Sequence, residues 1–445
     1  MLVSTYPFVI ASRSERSERS RRAAKGHAEG SPEAQSPETV LEIASGASHP
    51  RNDGVRPVKA GSYILVHRHL KESLSVNRPS YIYPVALALL AVLLAGCSGG
   101  VRATSWTTLL LHDGTLYVAD LEQVRALDAE TGQETWAFPP TPDLRQYGPF
   151  YTVTLLNDEL LLITSYERSG GGFFVRSRGV LRALSLNGGR LAWPQPFTAR
   201  GEFIAPGAAG DGIFVIGNSD GNVYGLRIDD GTPLWQYPTR GRVWATPLVI
   251  SDTVYIASLD HHLYALDLQT GALRWQFQAG SAMADRPLVL TDTLYIGSFD
   301  HNIYALRLTD GTEIWRFTGA NWFWGTPAGD GRRLYAADVD GNVYSLDAAT
   351  GQEIWHSRVQ GTVRLGPALS PDGRRLLIAG ENGTLFGLDT ADGFVLWQQV
   401  GQGQLGSMAI GGEQVYVTRI NAPQRVQAFY VENGRPIWSY PAQQQ

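Results

Sequence analysis

Eight tryptophans at nearly regular intervals are the feature that most constrains the fold of this 445-residue chain. Their spacings are 57, 42, 40, 40, 40, 42 and 41 residues. A glycine stands four residues before each one, a small residue ten before, and Val, Leu or Ile twelve before. The repeat tryptophans are Trp136, Trp193, Trp235, Trp275, Trp315, Trp355, Trp397 and Trp438. A period near 40 residues with strand-forming sequence is typical of propellers and solenoids.

One period contains four short strand candidates separated by turn signals. In the fourth copy these are TPLVIS, TVYIAS, HLYALDL and ALRWQF, which we label strands A to D. Four strands cannot bury both faces of a single sheet, but sheets packed around an axis can. We therefore predict an all-β fold, an eight-bladed β-propeller of four-stranded antiparallel blades over residues 106–442. We expect ring closure either by blade 1 packing flush on blade 8 or by an added strand from Val101–Ser105.

The repeat resembles the PQQ-like (quinoprotein-type) propeller family. ALDAETGQETW, ALDLQTGALRW and SLDAATGQEIW carry its A-x-D-x-x-T-G-x-x-x-W pattern, while ALSLNGGRLAW and AFYVENGRPIW depart from it. The resemblance implies that each repeat tryptophan docks between neighbouring blades. The segment Leu94–Cys97, which precedes the repeats, resembles a bacterial lipobox. With this segment and eight repeats, the architecture is similar to the propeller lipoprotein of the outer-membrane β-barrel assembly machine.

Cys97 is the only cysteine, and it follows an apolar run from Val85 to Ala95. About 11 apolar residues is short for a membrane span but typical of a secretory signal core. Leu94–Cys97 resembles a bacterial lipobox, which implies cleavage before Cys97 and lipidation of its thiol. We predict a lipoprotein signal peptide over 76–96 and a lipidated tether over 97–105. A transmembrane anchor and a buried thiol are the alternatives.

Residues 1–75 are charged and rich in Ser and Pro, a composition that does not order itself. We interpret them as a disordered extension, or as sequence upstream of a true start at a non-Met codon near Val66–Val76. Lys and Arg number 12 against 8 Asp and Glu up to Cys97, and 25 against 34 in the remainder. The acidic main body argues against a nucleic-acid partner.

In a four-stranded blade the D-to-A links and the B-to-C turns lie at the same end of the ring, which we call the link face. The long insertion YERSGGGFFVRSRG in blade 2 belongs to a B-to-C connection and explains the spacing of 57. Trp and Arg are common hot-spot residues of protein interfaces. Candidate binding residues on this face are Arg242, Trp244, Arg286, Trp322, Phe323, Trp324 and Arg364. An alternative is that Trp322 and Trp324 plug the channel mouth.

Two other functions are weighed for the link face. His261, His262 and His301 have ligand atoms for a metal, but adjacent turn residues point apart, so we expect no metal site. A PQQ-dependent dehydrogenase would need a carboxylate base, a calcium ion and a stacked quinone. The family's enzymes have large inserted loops and often a vicinal Cys pair, whereas this chain has one insertion and one cysteine.

The sequence therefore favours a non-enzymatic, lipid-anchored extracytoplasmic scaffold without cofactor that is monomeric within a complex of envelope proteins. A quinone- or metal-binding propeller is the alternative. Ser98 after the cysteine is compatible with sorting to the outer membrane. The expected location is the periplasmic face of that membrane if the cell has two membranes, and otherwise the outer face of the plasma membrane.

Overall fold

A computed structural model describes residues 108–169 and 176–442. It contains eight four-stranded antiparallel sheets, each a simple meander in chain order. The predicted eight-bladed propeller is therefore confirmed. The predicted extension, signal peptide, tether and Cys97, as well as the proposed closing strand Val101–Ser105, lie outside the described residues.

The strands follow the repeat closely. Blades 1 and 2 contain β1 (Leu109–His112), β2 (Thr115–Ala119), β3 (Val124–Asp128), β4 (Glu134–Phe138), β5 (Phe150–Leu155), β6 (Leu160–Ser169), β7 (Arg176–Ser185) and β8 (Phe197–Arg200). Blades 3 and 4 contain β9 (Ala208–Gly210), β10 (Ile213–Gly217), β11 (Asn222–Arg227), β12 (Pro233–Pro238), β13 (Leu248–Ile250), β14 (Thr253–Ala257), β15 (His262–Asp267) and β16 (Leu273–Gln278). Blades 5 and 6 contain β17 (Leu288–Leu290), β18 (Thr293–Gly297), β19 (Asn302–Arg307), β20 (Glu313–Thr318), β21 (Ala328–Gly329), β22 (Arg333–Ala337), β23 (Asn342–Asp347) and β24 (Glu353–Arg358). Blades 7 and 8 contain β25 (Ala368–Leu369), β26 (Arg375–Ala379), β27 (Thr384–Asp389), β28 (Val395–Val400), β29 (Gln404–Gly411), β30 (Gln414–Ile420), β31 (Val426–Tyr430) and β32 (Pro436–Tyr440).

Blade 2 departs from the pattern, as its sequence does. The insertion lies at the B-to-C position, as predicted, and lengthens β6 and β7 to ten residues each. Pro194 and Pro196 follow Trp193 and lack the N–H groups a strand needs, so β8 begins only at Phe197. The helix α1 (Leu144–Tyr147) lies in the link between blades 1 and 2. In the described ranges, no helix has the length and apolar character needed to cross a bilayer.

The hydrophobic core lies between blades, not within them. Each of eight clusters draws its buried side chains from two neighbouring blades. One of them joins Tyr255 of blade 4 to Leu294 and Leu306 of blade 5. Another joins Tyr416 of blade 8 to Leu116 of blade 1, so the ring is closed. Burying a large apolar side chain contributes about 1.5–3 kcal/mol, and a lone blade would lose this on both faces.

Tryptophan and glycine of successive repeats form the contact between blades. Trp235 of blade 3 donates its Nε1–H to the carbonyl of Leu268 in blade 4, at 2.9 Å. Its ring lies over Gly271, where a Cβ would stand only 2.5 Å from Cε3. Gly271 also has φ +70°, a conformation that favours glycine. The other indole-over-glycine pairs are Trp136–Gly189, Trp193–Gly231, Trp275–Gly311, Trp315–Gly351, Trp355–Gly393, Trp397–Gly434 and Trp438–Gly132.

The seam between blades 8 and 1 carries an additional polar network. Trp438 donates to the carbonyl of Ala129 at 3.0 Å, so the last repeat docks on the first as the others dock on their neighbours. Asp120 Oδ2 lies 2.7 Å from Arg125 Nε and 2.8 Å from Arg425 Nη1. The structure therefore supports flush closure of blade 1 on blade 8.

Candidate functional site

The link face is built as expected, because each link is hydrogen-bonded to the neighbouring B-to-C turns. The carbonyl of Arg242 accepts from Leu259 N at 2.9 Å, and Val243 N donates to the carbonyl of Asn218 at 3.1 Å. The link between blades 3 and 4 thus bridges the turns of both blades. Trp322 makes an equivalent contact through its carbonyl, which accepts from Val339 N at 3.0 Å.

An aspartate in the B-to-C turn anchors the link. Asp300 Oδ2 accepts from the Tyr304 hydroxyl at 2.6 Å and from Gly280 N at 2.7 Å. Burial opposes ionisation of this carboxyl, but the hydrogen bonds from Tyr304, Asn302 and Gly280 prevail and lower its pKa. Burial and the hydrogen bond to Asp300 raise the pKa of Tyr304 to about 12. The pair is therefore a fixed carboxylate–phenol contact at neutral pH.

The same anchor recurs in neighbouring blades. Asp220 accepts from Tyr224 at 2.7 Å, and Asp260 accepts from Tyr264 at 2.7 Å and from Arg240 N at 2.8 Å. The spacing Asp-x-x-x-Tyr is the sequence signal for this anchor, and it was missed when the repeats were aligned on their tryptophans. These contacts hold the side chains of the link face on a rigid support.

Three aromatic rings and one guanidinium meet across blades 5 to 7, and we call them the aromatic cluster: Phe299, Trp322, Trp324 and Arg364. Phe299 stacks on Trp322 with a centroid separation of 5.3 Å and an interplanar angle of 19°. Trp324 lies 4.8 Å from Phe299, and Arg364 Cζ lies 5.1 Å from the Trp324 centroid. Trp322 is 44% exposed and Trp324 is half-buried. The cluster therefore offers aromatic surface to solvent.

Phe299 was missing from the sequence-based list, although it lies in the B-to-C turn SFDHN. The placement of these turns on the link face was the signal that could have found it. Arg364 is also 3.0 Å from Glu381 Oε1, which partly balances its charge.

The expectation for Phe323 was wrong. Its side chain is fully buried, and its ring atoms lie where a Cβ on Gly319 would stand, against Tyr344. Successive residues of the link point to opposite sides, so Trp322 faces outward while Phe323 fills the space between blades 5 and 6. Phe323 therefore supports the face from below and is not part of its surface.

The remaining candidates lie in the links that precede blades 4 and 5. Arg242 Cζ is 6.0 Å from the Trp244 ring, and Trp244 donates to Ser219 Oγ at 3.3 Å. Arg286 follows Asp285, whose oxygens accept from Arg286 N at 2.7 Å and from Thr326 N at 3.0 Å. Burial raises the pKa of Asp285. This carboxyl therefore ties two successive links together.

The three histidines are not brought together as a ligand set. His261 and His301 occupy the left-handed position of their turns, with φ of 74° and 72°, where other blades have glycine. His262 is buried, and its Nδ1 lies 2.9 Å from the carbonyl of Asp260 in its own turn. The part of the chain that the structure describes has no group of three or more His, Cys, Asp or Glu arranged to hold a metal ion.

A groove of about 680 Å³ lies elsewhere on the link face, between α1 and the base of the blade 2 hairpin. Its walls mix apolar side chains such as Leu144 with the polar side chains of Arg145, Gln146, Glu167 and Arg178. The link face therefore combines a groove of mixed polarity at blades 1–2 with an exposed aromatic cluster at blades 5–7.

The family model described as outer membrane protein assembly factor BamB matches residues 177–318 and 339–445, more than half of the chain. The chain belongs to this family. The BamB crystal structure from Moraxella catarrhalis has the same fold, with a TM-score of 0.59 and 18% identity over 72% of this chain and 95% of that one. The computationally designed Ika8 protein is also similar, with a TM-score of 0.61 and 14% identity over 74% of this chain and 96% of the design.

One curated relative has a different description. The serine/threonine-protein kinase AfsK of Streptomyces griseus is 28% identical over 148 residues, which is 32% of this chain. The chain spans only 17% of that kinase's length. BamB-family membership therefore rests on the family match, and the two solved structures support the fold.

Proposed function

We propose that this chain is a lipid-anchored scaffold of the cell envelope that binds other envelope proteins through its link face. In a bacterium with two membranes it would serve the assembly of outer-membrane β-barrel proteins. The observation that carries the proposal is the solvent-facing aromatic cluster, with Arg364 over Trp324 and Trp322 stacked on Phe299.

The chemistry of the aromatic cluster fits a protein partner. Tryptophan and arginine are enriched among interface residues whose removal costs more than 2 kcal/mol. The rings are positioned before binding, because Trp322 and its link are bonded to turns that aspartates such as Asp300 and Asp338 anchor. A rigid surface loses less conformational entropy on association. BamB-family membership supports a role within a protein complex.

The lipid anchor in this proposal comes from the sequence around Cys97. Each buried methylene of an acyl chain contributes about 0.8 kcal/mol, so several chains would hold the propeller on a bilayer. Residues 98–105 would then place a monomeric propeller close to the membrane surface. The periplasmic face of an outer membrane is the proposed location, or the outer face of the plasma membrane in a cell with one membrane.

Site-specific crosslinking of the full chain in cells tests the partner. A photo-reactive residue at position 322 should crosslink to a small set of envelope proteins, whereas one at Leu234, an outer-strand residue of similar exposure, should not. The double variant Trp322→Ala/Trp324→Ala should lose the partner, and Leu234→Ala should keep it. Unchanged capture by the double variant would refute the role of the aromatic cluster.

Fractionation tests the anchor separately. Cys97→Ser should move the protein from the membrane to the soluble fraction without altering its thermal unfolding. Saturable oxidation of an alcohol or sugar after addition of PQQ, calcium and a dye acceptor would overturn the scaffold proposal in favour of an enzyme.

A further inference from the structure

The outer strand of every blade is an open sheet edge. Strand D pairs with strand C on one side, and in the part of the chain that the structure describes no further strand lies beyond it. Such an edge exposes backbone N–H and C=O groups that another strand can pair with. Proteins commonly protect edges with charged residues or proline.

Seven of the eight outer strands here have that protection. Each contains at least one charged residue or proline, namely Glu134 in β4, Arg200 in β8, Pro233 and Pro238 in β12, Arg274 in β16, Glu313 and Arg316 in β20, Glu353 and Arg358 in β24, and Pro436 in β32. Strand β28, with the sequence VLWQQV, contains neither. The whole segment 393–405 is uncharged and free of proline.

The same strand and Phe394, the residue just before it, expose apolar side chains. Phe394 is 68% exposed and Val400 is 73% exposed, the highest values among the large exposed hydrophobic residues of the described chain. Leu396 is exposed as well. Residues 394, 396, 398 and 400 alternate with inward-facing neighbours and so line one side of the strand. An unprotected edge and an apolar stripe therefore coincide on blade 7.

We propose that β28 is a docking edge for an extended segment of another polypeptide, which adds to blade 7 as a fifth strand. The partner segment is uncharged and has apolar side chains at alternate positions, since those would contact Phe394, Leu396 and Val400. Backbone pairing supplies affinity in this mode, and the alternating side chains supply selectivity.

A second copy of this chain fits the edge less well. A strand of six residues is about 20 Å long and about 10 Å across with its side chains. Two rings meeting edge to edge would bury far less than the roughly 800 Å² per partner of a stable interface. A flexible segment can pair along all of β28 and continue onto the adjacent surface. This docking edge is separate from the link face, so the inference stands or fails independently of the proposed function.

Peptide binding to the full-length chain tests the docking edge. The probe is a fluorescein-labelled peptide of four Val-Thr repeats with a lysine at each end. A matched peptide with N-methyl groups at alternate residues cannot complete the backbone pairing. We expect saturable anisotropy with the first peptide, at least tenfold weaker binding of the second, and slower hydrogen exchange at residues 395–400 in the complex.

Charged substitutions locate the site. Leu396→Lys or Val400→Lys should weaken peptide binding at least tenfold. Leu234→Lys, which also precedes a repeat tryptophan on an outer strand and is similarly exposed, should leave binding unchanged. The Trp322→Ala/Trp324→Ala variant should bind the peptide normally, which separates this edge from the link face.

Three results would overturn the inference. The first is that the peptide slows hydrogen exchange equally in several outer strands, and the second is that the N-methylated peptide binds as tightly as the unmodified one. The third is concentration-dependent self-association of the chain that Leu396→Lys abolishes. Thermal unfolding of each lysine variant shows whether it is folded. Because Val400 is more exposed than Leu396, its variant provides the test if Leu396→Lys is unstable.

Discussion

The glycine beneath each indole gives the sharpest test of how the ring is held together. Gly271 and Gly212 have nearly the same backbone conformation, with φ of +70° and +76°. A Cβ on Gly271 would lie 2.5 Å from Trp235 Cε3, whereas a Cβ on Gly212 meets nothing within 4 Å. The two alanine variants therefore share the backbone strain and differ in the clash.

The expected magnitudes follow from that difference. A left-handed conformation costs a non-glycine residue about 1–2 kcal/mol, so Gly212→Ala should lose about that much stability. Gly271→Ala should lose a further 1–3 kcal/mol or so, typical of overpacking, because the indole must shift from its bond to Leu268. The thermal unfolding midpoint should be highest for the wild type, lower for Gly212→Ala and lowest for Gly271→Ala.

Thermal unfolding followed by circular dichroism and calorimetry measures this order. A second background sharpens the test, because Trp235→Ala removes the ring that a new methyl group would strike. In the Trp235→Ala background, Gly271→Ala should lower stability by no more than Gly212→Ala does in the wild type. Equal losses for the two glycine variants in the wild type, or additivity of Gly271→Ala with Trp235→Ala, would refute the interlock.

Three further predictions concern the seam and the link face. Asp120→Asn should lower the free energy of unfolding by about 1.5–3 kcal/mol, because Arg125 and Arg425 lose a charged acceptor. Chemical unfolding measures this difference, and an unchanged free energy of unfolding would show that the seam does not depend on the ion pairs of Asp120. Asp300 has a lowered pKa when folded, so its contribution is present above the unfolded value of about 3.9 and is lost as pH falls through the folded pKa; the stability gap between wild type and Asp300→Asn should be large at pH 7 and shrink in acid, and a gap independent of pH contradicts this assignment. His261→Gly should raise stability by up to about 1 kcal/mol, because glycine relieves the positive φ of an exposed residue, whereas His262→Gly should lower it; a loss at both positions would show that His261 makes a compensating contact.

The architecture could be predicted from the repeat because the positions that recur in every copy form the contacts between blades. Trp235 and Gly271 belong to successive repeats, yet each must fit the other, so the same pair of residue types recurs at a fixed interval. Positions outside the repeat pattern were less informative about the local structure. Blade 2 illustrates this: its proline-rich D segment places Trp193 outside the strand, while the indole still docks on Gly231.

The link face was only partly predictable, since links have no periodicity to show which side a residue faces. Trp322, Phe323 and Trp324 were treated alike, and only the structure separates the buried phenylalanine from its neighbours. Phe299 joined the cluster because the turn of one blade lies beside the link of the next, a neighbourhood that sequence order does not reveal. The uncharged edge of β28 was visible in the sequence but became meaningful only when all eight outer strands could be compared.

The flush seam has a consequence for biogenesis. Trp438 covers Gly132, so the first blade has no cover on one face until the last forty or so residues have been synthesised. A chain truncated after blade 7 would not close into a smaller ring but would expose the apolar faces of blades 1 and 7 to solvent. We therefore expect this truncation to cause an abrupt loss of solubility. A circular permutant opened between blades 3 and 4, with the old termini joined, would keep every indole–glycine pair and should fold.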